Sequence, residues 1–150
     1  MSVNTPGLEH VMTVRANIDP LIDMGKTPSG QRRVVLITGG TFEGPQLKGT
    51  IMPGGEDWQL IRDDGTMLLD ARYWLRAEDG TIIRVHNCVL ISAPSAQGGE
   101  RTPAYARSSV QLEAPIGTHD WLNKAIFVGT LDTDFKQRPA MVTLQFYKVT

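Results

Sequence analysis

Two Asp-Gly pairs, Asp64-Gly65 and Asp79-Gly80, separate three strand-forming runs and constrain the fold more than any other feature of the chain. The runs are Trp58 to Arg62, Met67 to Arg76 and Thr81 to Leu90. Because Asp-Gly accepts the left-handed backbone that tight hairpins demand, these runs should form an antiparallel meander. Further strands are expected at Val11 to Ala16, Arg33 to Thr38, Tyr105 to Glu113, Ala125 to Thr130 and Ala140 to Val149. The stretch from Thr41 begins at a turn and extends as a strand through Leu47. Pro20, Gly25, Pro28 and Gly30 mark a loop between the first two strands, Pro94 to Gly99 reads as a polar loop, and Asp120 to Lys124 fits a short helical turn or strand start. No long amphipathic helix is available to cover a parallel sheet. About eight or more antiparallel strands suggest an all-β barrel or sandwich, and barrel closure is the simpler way to remove exposed edges.

The chain has 150 residues, enough to bury a core without disulfide or metal staples, and reads as one domain with a short extension before residue 11. Its formal net charge of -1 gives no electrostatic reason to bind nucleic acid or an anionic membrane. Arg32-Arg33 reads as a solvated strand start. The first residues lack the basic and apolar regions of a secretory signal, and no apolar run approaches spanning length, so a cytoplasmic protein is expected. Cys88 is the single cysteine; it cannot form an intrachain disulfide and reads as buried strand filler.

Candidate chemistry gathers on glycine-rich turns. Gly39-Gly40-Thr41-Phe42-Glu43-Gly44-Pro45 and Pro53-Gly54-Gly55-Glu56-Asp57-Trp58 put acids and an aromatic where glycine can shape a turn or ligand mouth. In the long strand, Asp70, Arg72, Trp74 and Arg76 share one face, and Leu69, Ala71, Tyr73 and Leu75 share the other. The apolar set is the natural core face, which leaves the arginines in water. Turned inward instead, Asp70 would orient Arg72 toward a substrate carboxylate or enolate oxygen.

The glycines match neither a dinucleotide fingerprint nor a phosphate loop, and Ser108-Ser109 lacks a nucleophile elbow. His10, His86 and His119 are widely spaced, so no metal centre is expected. What remains is an acid and aromatic constellation. Glu43, Asp57 or Asp70 becomes a general base if apolar neighbours such as Trp58 or Tyr73 raise its pKa toward neutrality. Trp58 and Trp121 also suit a core.

The two glycine motifs, with Arg62-Asp63-Asp64-Gly65, Leu69-Asp70-Ala71-Arg72-Tyr73, Asp79-Gly80-Thr81-Ile82-Ile83 and Trp121-Leu122-Asn123-Lys124-Ala125-Ile126-Phe127-Val128-Gly129, resemble the domain of unknown function 3237 family, also called uncharacterised protein family 0311. The resemblance runs from about Val11 onward. It implies a compact antiparallel β-barrel of calycin-like general shape, often a dimer. It also draws attention to Glu43, Asp57, Trp58, Asp70, Arg72, Tyr73, Trp121 and Asn123 around a barrel-end cavity. The chain departs from the family pattern at Asn87-Cys88, where relatives carry glycine after the asparagine, and Cys88 is expected to reshape that end of the pocket. Ala104 to Asp120 is only loosely recognisable.

Three functions fit these observations. The first is a small-molecule isomerase, lyase or hydrolase acting on a carbonyl-containing metabolite. Glu43 or Asp57 would move a proton while Arg72, Tyr73 or Asn123 stabilised charge on oxygen, without an organic cofactor. The second is a carrier or sensor for an apolar or aromatic ligand, with Trp58, Tyr73, Trp74 and Trp121 as walls. The third is a structural or interaction role. A homodimer is expected in each case.

Overall fold

The computed structural model describes residues 3–92, 94–95, 102–103, 105–134 and 141–150. Its strands are β1 (Leu8–Ile18), β2 (Ile22–Thr27), β3 (Gly30–Glu43), β4 (Lys48–Ile51), β5 (Gly55–Ile61), β6 (Met67–Ala77), β7 (Ile82–Ile91), β8 (Pro94–Ser95), β9 (Thr102–Pro103), β10 (Ala106–Glu113), β11 (Phe127–Asp134) and β12 (Met141–Val149). A short 3-10 helix, Asp120–Lys124, precedes β11. Among the described residues no helix is long and apolar enough to cross a membrane.

Antiparallel pairing runs from β1 through β12, β11, β10, β7 and β6 to β4 and β5, then to β3, which pairs again with β1. That last pairing closes an all-β barrel. β4 and β5 share one position: β4 pairs with the end of β3 and β5 with its beginning, and both lie against β6. The Asp-Gly pairs make the expected meander, with Gly65 at φ 84° and Gly80 at φ 89°. β8 and β9 form a separate two-stranded ribbon; the rest of the expected Pro94 to Gly99 loop lies outside the described residues.

Three local expectations differ from the structure, the first being the strand from Thr41 through Leu47: residues 41–43 end β3, and residues 44–47 form the turn into β4, closed by the Gly44 N–H donating to the Leu47 carbonyl. The proline and glycine segment after β1 contains β2, which pairs with the start of β3 and absorbs an extra residue, Met24, through a register shift beside Gly25. Proline and glycine therefore stand at the ends and irregularity of a strand rather than abolish it. Gly39-Gly40 lies within β3 rather than in a turn. At Gly40, φ is 136° and an added Cβ would stand 2.0 Å from the Arg15 carbonyl oxygen, so glycine permits the close β1 to β3 seam.

Strand alternation sends Val14 and Ala16, Leu75, Ile83 and Val85, and Leu144 and Phe146 into a continuous core. The 3-10 helix closes one barrel end, with Leu122 fully buried and Trp121 tilted against Phe127. Burying a side chain of Leu or Phe size is worth about 1.5–3 kcal/mol, making this apolar end a principal source of stability. Toward the other end the inward positions Arg33, Gln59, Ile61 and Met67 are half-buried, leaving a more polar and accessible interior.

Candidate functional site

The middle of the barrel is where apolar filling gives way to polar side chains. Asp57 on β5, Ala71 on β6 and Asn87 on β7 occupy one row of paired residues. Tyr73 projects inward two positions along β6, and Ser108 comes from β10. Adjacent strands lie about 4.8 Å apart, and the small Ala71 side chain stands between Asp57 and Asn87 in this row. Gly55 is equally specific in place: a Cβ there would approach the Tyr73 Cβ to 2.5 Å.

Asp57 is held from one side. Arg33, opposite Gln59 in the β3 to β5 register, donates from Nε at 3.1 Å and from a terminal guanidinium nitrogen at 2.7 Å to Gln59 Oε1. Gln59 Nε2 then donates to Asp57 Oδ2 at 3.1 Å. Asp57 Oδ1 is buried without a partner, as are Tyr73 OH, Asn87 Oδ1 and Ser108 Oγ, the four such side-chain atoms among the described residues. Leaving a buried polar atom unpaired costs about 1–3 kcal/mol, and more when it is charged. All four side chains come from inward-facing positions of the barrel wall.

Electrostatics reinforces that geometry. Desolvation raises the Asp57 carboxyl above its ordinary value, assisted by the Asp70 charge and opposed chiefly by the Gln59 hydrogen bond. The Tyr73 phenol is also raised, first by complete burial and then by the Asp57 charge, so it is a neutral hydroxyl at physiological pH. The interior thus combines a proton-accepting carboxylate with a neutral donor and further polar oxygens.

Of the residues singled out in sequence, the structure brings Asp57 and Tyr73 to this interior and disperses the others. Glu43 is exposed and accepts a 3.3 Å bond from Arg15. Asp70 and Arg72 face outward, with Arg72 Nε 3.4 Å from Asp70 Oδ1. Trp58 is half-exposed on the outer wall, and its Nε1 donates to Glu56 at 2.8 Å. Trp121 packs at the closed end, while Asn123 clamps Ala114 through two 2.8 Å bonds, one to its carbonyl and one from its N–H. Cys88 is exposed rather than buried because even-numbered positions of β7 point away from the core, so it cannot narrow the interior.

Arg33, Gln59, Asn87 and Ser108 escaped assignment from sequence. Arg33 had the appearance of a solvated basic pair, and only its register against Gln59 reveals the chain of bonds leading to Asp57. Surface hollows occur at the closed end, including one of about 420 Å³ beside Lys48, Asp79 and His119 and one of about 630 Å³ beside Arg84, Glu113 and Asn123. His119 Nε2 and Asp79 Oδ2 are 2.9 Å apart, but that pair fastens the helix approach to the β6–β7 turn. The unpartnered interior atoms make a stronger site than these hollows do.

The sequence pattern of the family described as "Protein of unknown function (DUF3237)" matches residues 6–149. The chain belongs to the DUF3237 family. A UPF0311 protein of Rhodopseudomonas palustris is 30% identical over 136 residues, spanning 84% of this chain and 89% of the relative. The crystal structure of a beta-barrel like protein from Acinetobacter baumannii is 28% identical, covers 99% of each chain and has a TM-score of 0.87. An enzyme from Penicillium herquei has a TM-score of 0.76 over 100% of this chain and 99% of its own at 22% identity, a likeness of fold alone. The DUF3237 relatives thus share the barrel of this chain.

Proposed function

We propose that this DUF3237 barrel is a small-molecule enzyme that moves a proton on a carbonyl-containing metabolite, with Asp57 as the general base and conjugate acid. The observation that carries the reading is Asp57 itself: one carboxylate oxygen accepts from Gln59, whose amide is in turn held by Arg33, and the other is buried without a partner. In this mechanism Oδ1 accepts a proton from carbon adjacent to the carbonyl, or from an attacking water. The neutral Tyr73 hydroxyl donates to the oxygen on which negative charge develops. Asn87 and Ser108 orient the ligand through its own polar groups. The raised Asp57 pKa makes proton uptake more favourable than at an ordinary surface aspartate. This arrangement suits isomerisation, elimination or hydrolysis, each of which combines proton transfer with charge on oxygen.

A carrier provides the second reading, because a bound ligand can satisfy the same four atoms without reacting. A calycin-like general shape for the barrel, suited to enclosing a ligand, belongs to this proposal. The decisive experiment is a binding and turnover screen of carbonyl metabolites followed by Asp57→Asn. Catalysis predicts loss of turnover by about 10²–10⁴-fold with binding retained. Unchanged turnover of a confirmed substrate rejects Asp57 as the base, and binding by the parent without any turnover selects the carrier. We also propose a homodimer, as the family resemblance implies; a monomer mass across a wide concentration range in light scattering rejects it.

A further inference from the structure

The outer wall carries a separate group of metal-ligating side chains that the interior proposal does not use. Asp70 on β6 stands directly opposite Cys88 on β7, and His86 precedes Cys88 by two residues on the same outward face. Period-two alternation makes His86-x-Cys88 a pair of side chains aimed in one direction. His86 Nε2 lies 2.9 Å from Asp70 Oδ1 and 3.4 Å from Cys88 Sγ. One ligand atom from each residue falls within 4.8 Å of the other two. We propose that Asp70, His86 and Cys88 form a binding site for a borderline transition-metal dication, with zinc the best fit.

The spacing follows from coordination geometry. A tetrahedral zinc ion with ordinary bonds to sulfur and imidazole nitrogen holds those atoms about 3.5 Å apart. The observed 3.4 Å separation of Cys88 Sγ and His86 Nε2 already meets this requirement. An imidazole nitrogen and a carboxylate oxygen on the same ion stand about 3.3 Å apart. The present 2.9 Å contact therefore opens by a few tenths of an ångström, which exposed or half-buried side chains can supply. The paired strands hold the three backbone positions in register, so only side-chain adjustment is needed.

The donor set selects the class of ion. A thiolate with an imidazole and one carboxylate suits zinc or cobalt, whereas magnesium and calcium require oxygen-rich shells. A water would complete four-coordination. On binding, Cys88 loses its thiol proton to solvent, and His86 presents its Nε2 lone pair with its proton on Nδ1. Thiolate and carboxylate then balance the two positive charges of the ion. Arg72 competes for Asp70, but both members of that contact are exposed and the pair is weak.

Titration of the intact, reduced chain with cobalt(II) at mildly alkaline pH tests the site, because Cys88 is the single cysteine and any thiolate-to-cobalt charge-transfer absorption must involve it. The expected result is a near-ultraviolet band that saturates at one metal per chain, disappears in Cys88→Ser and is displaced by zinc. Replacing a supporting neighbour of a metal ligand lowers affinity by about 10–100-fold, so His86→Gln and Asp70→Asn, which remove ligands outright, should each lose at least that much. Absence of the band, saturation at one metal per two chains, or unchanged affinity in His86→Gln overturns the proposal.

Discussion

Replacing Asp57 by asparagine should stabilise the folded protein at neutral pH while removing its proposed chemistry. The shape changes little, and Gln59 can still donate to the remaining side-chain oxygen. What disappears is a charge on a carboxylate with one buried, unpartnered oxygen. An unpaired buried polar atom costs about 1–3 kcal/mol and a charged one costs more; the neutral amide nitrogen that replaces Oδ1 is still unpaired, so the variant recovers only the excess cost of the charge, about 1–2 kcal/mol. For a chain of this length, each kcal/mol shifts the thermal midpoint by about 2–4 °C, giving an expected rise of about 2–8 °C. The pH dependence supplies the more exacting test. Burial places the folded pKa above the unfolded value of 3.8, so between those values the native state binds more protons. Wild-type stability therefore falls as pH rises through that window. The advantage of Asp57→Asn should be absent below the unfolded value, grow through the window and then level off. Thermal unfolding of both proteins, followed by circular dichroism from acid to neutral pH, measures the difference. A variant less stable at neutral pH, or a difference independent of pH, would refute the view that the Asp57 charge is held at a cost.

Three further substitutions probe the scaffold. Gly40→Ala combines positive φ with a Cβ only 2.0 Å from Arg15 O and should destabilise by about 3 kcal/mol or more, read as a lower denaturation midpoint in urea. Leu122→Ala should cost about 2–5 kcal/mol by emptying the closed barrel end, also measurable by urea unfolding; a loss under 1 kcal/mol would contradict that role. The Asp79 carboxyl is held below its ordinary value first by the Thr81 backbone N–H, then by the Thr81 side chain, with His119 also contributing. Its stabilisation is present above the unfolded value of 3.8 and lost as pH falls through the lowered folded value, so Asp79→Asn should weaken the fold at neutral pH and cease to do so in strong acid, as thermal scans will record.

Local chemistry made much of this barrel legible. Each Asp-Gly turn requires positive φ, and the runs around it alternate clearly enough to place Leu69, Ala71, Tyr73 and Leu75 inside. Asp57 and Tyr73 were accessible to the same reasoning because an acid beside aromatics is a recognisable combination. The bonds from Arg33 through Gln59 to Asp57 were not, since they depend on the β3 to β5 register across a long stretch of chain. Glu43 misdirects for the opposite reason. Its glycine-rich neighbourhood suggests a ligand mouth, yet the glycines serve the close β1 to β3 seam and the side chain faces Arg15 outside. The outer Asp70, His86 and Cys88 group joins a local signal, His86-x-Cys88, to a nonlocal one, the Asp70 and Cys88 pair.

Closure also imposes an order on biosynthesis. β1 bonds to β3 on one side and to β12 on the other, so the barrel's first strand gains its second neighbour only when the barrel's last strand has been made. Until then, the inward faces of Val14, Ala16 and Phe127 lack the Leu144 and Phe146 layer that covers them in the finished barrel. A nascent chain that has released β1 through β11 holds most of its hairpins and still has an open seam. Contacts spanning nearly the whole sequence are slow to form, so this waiting species is the stage most vulnerable to intermolecular strand pairing.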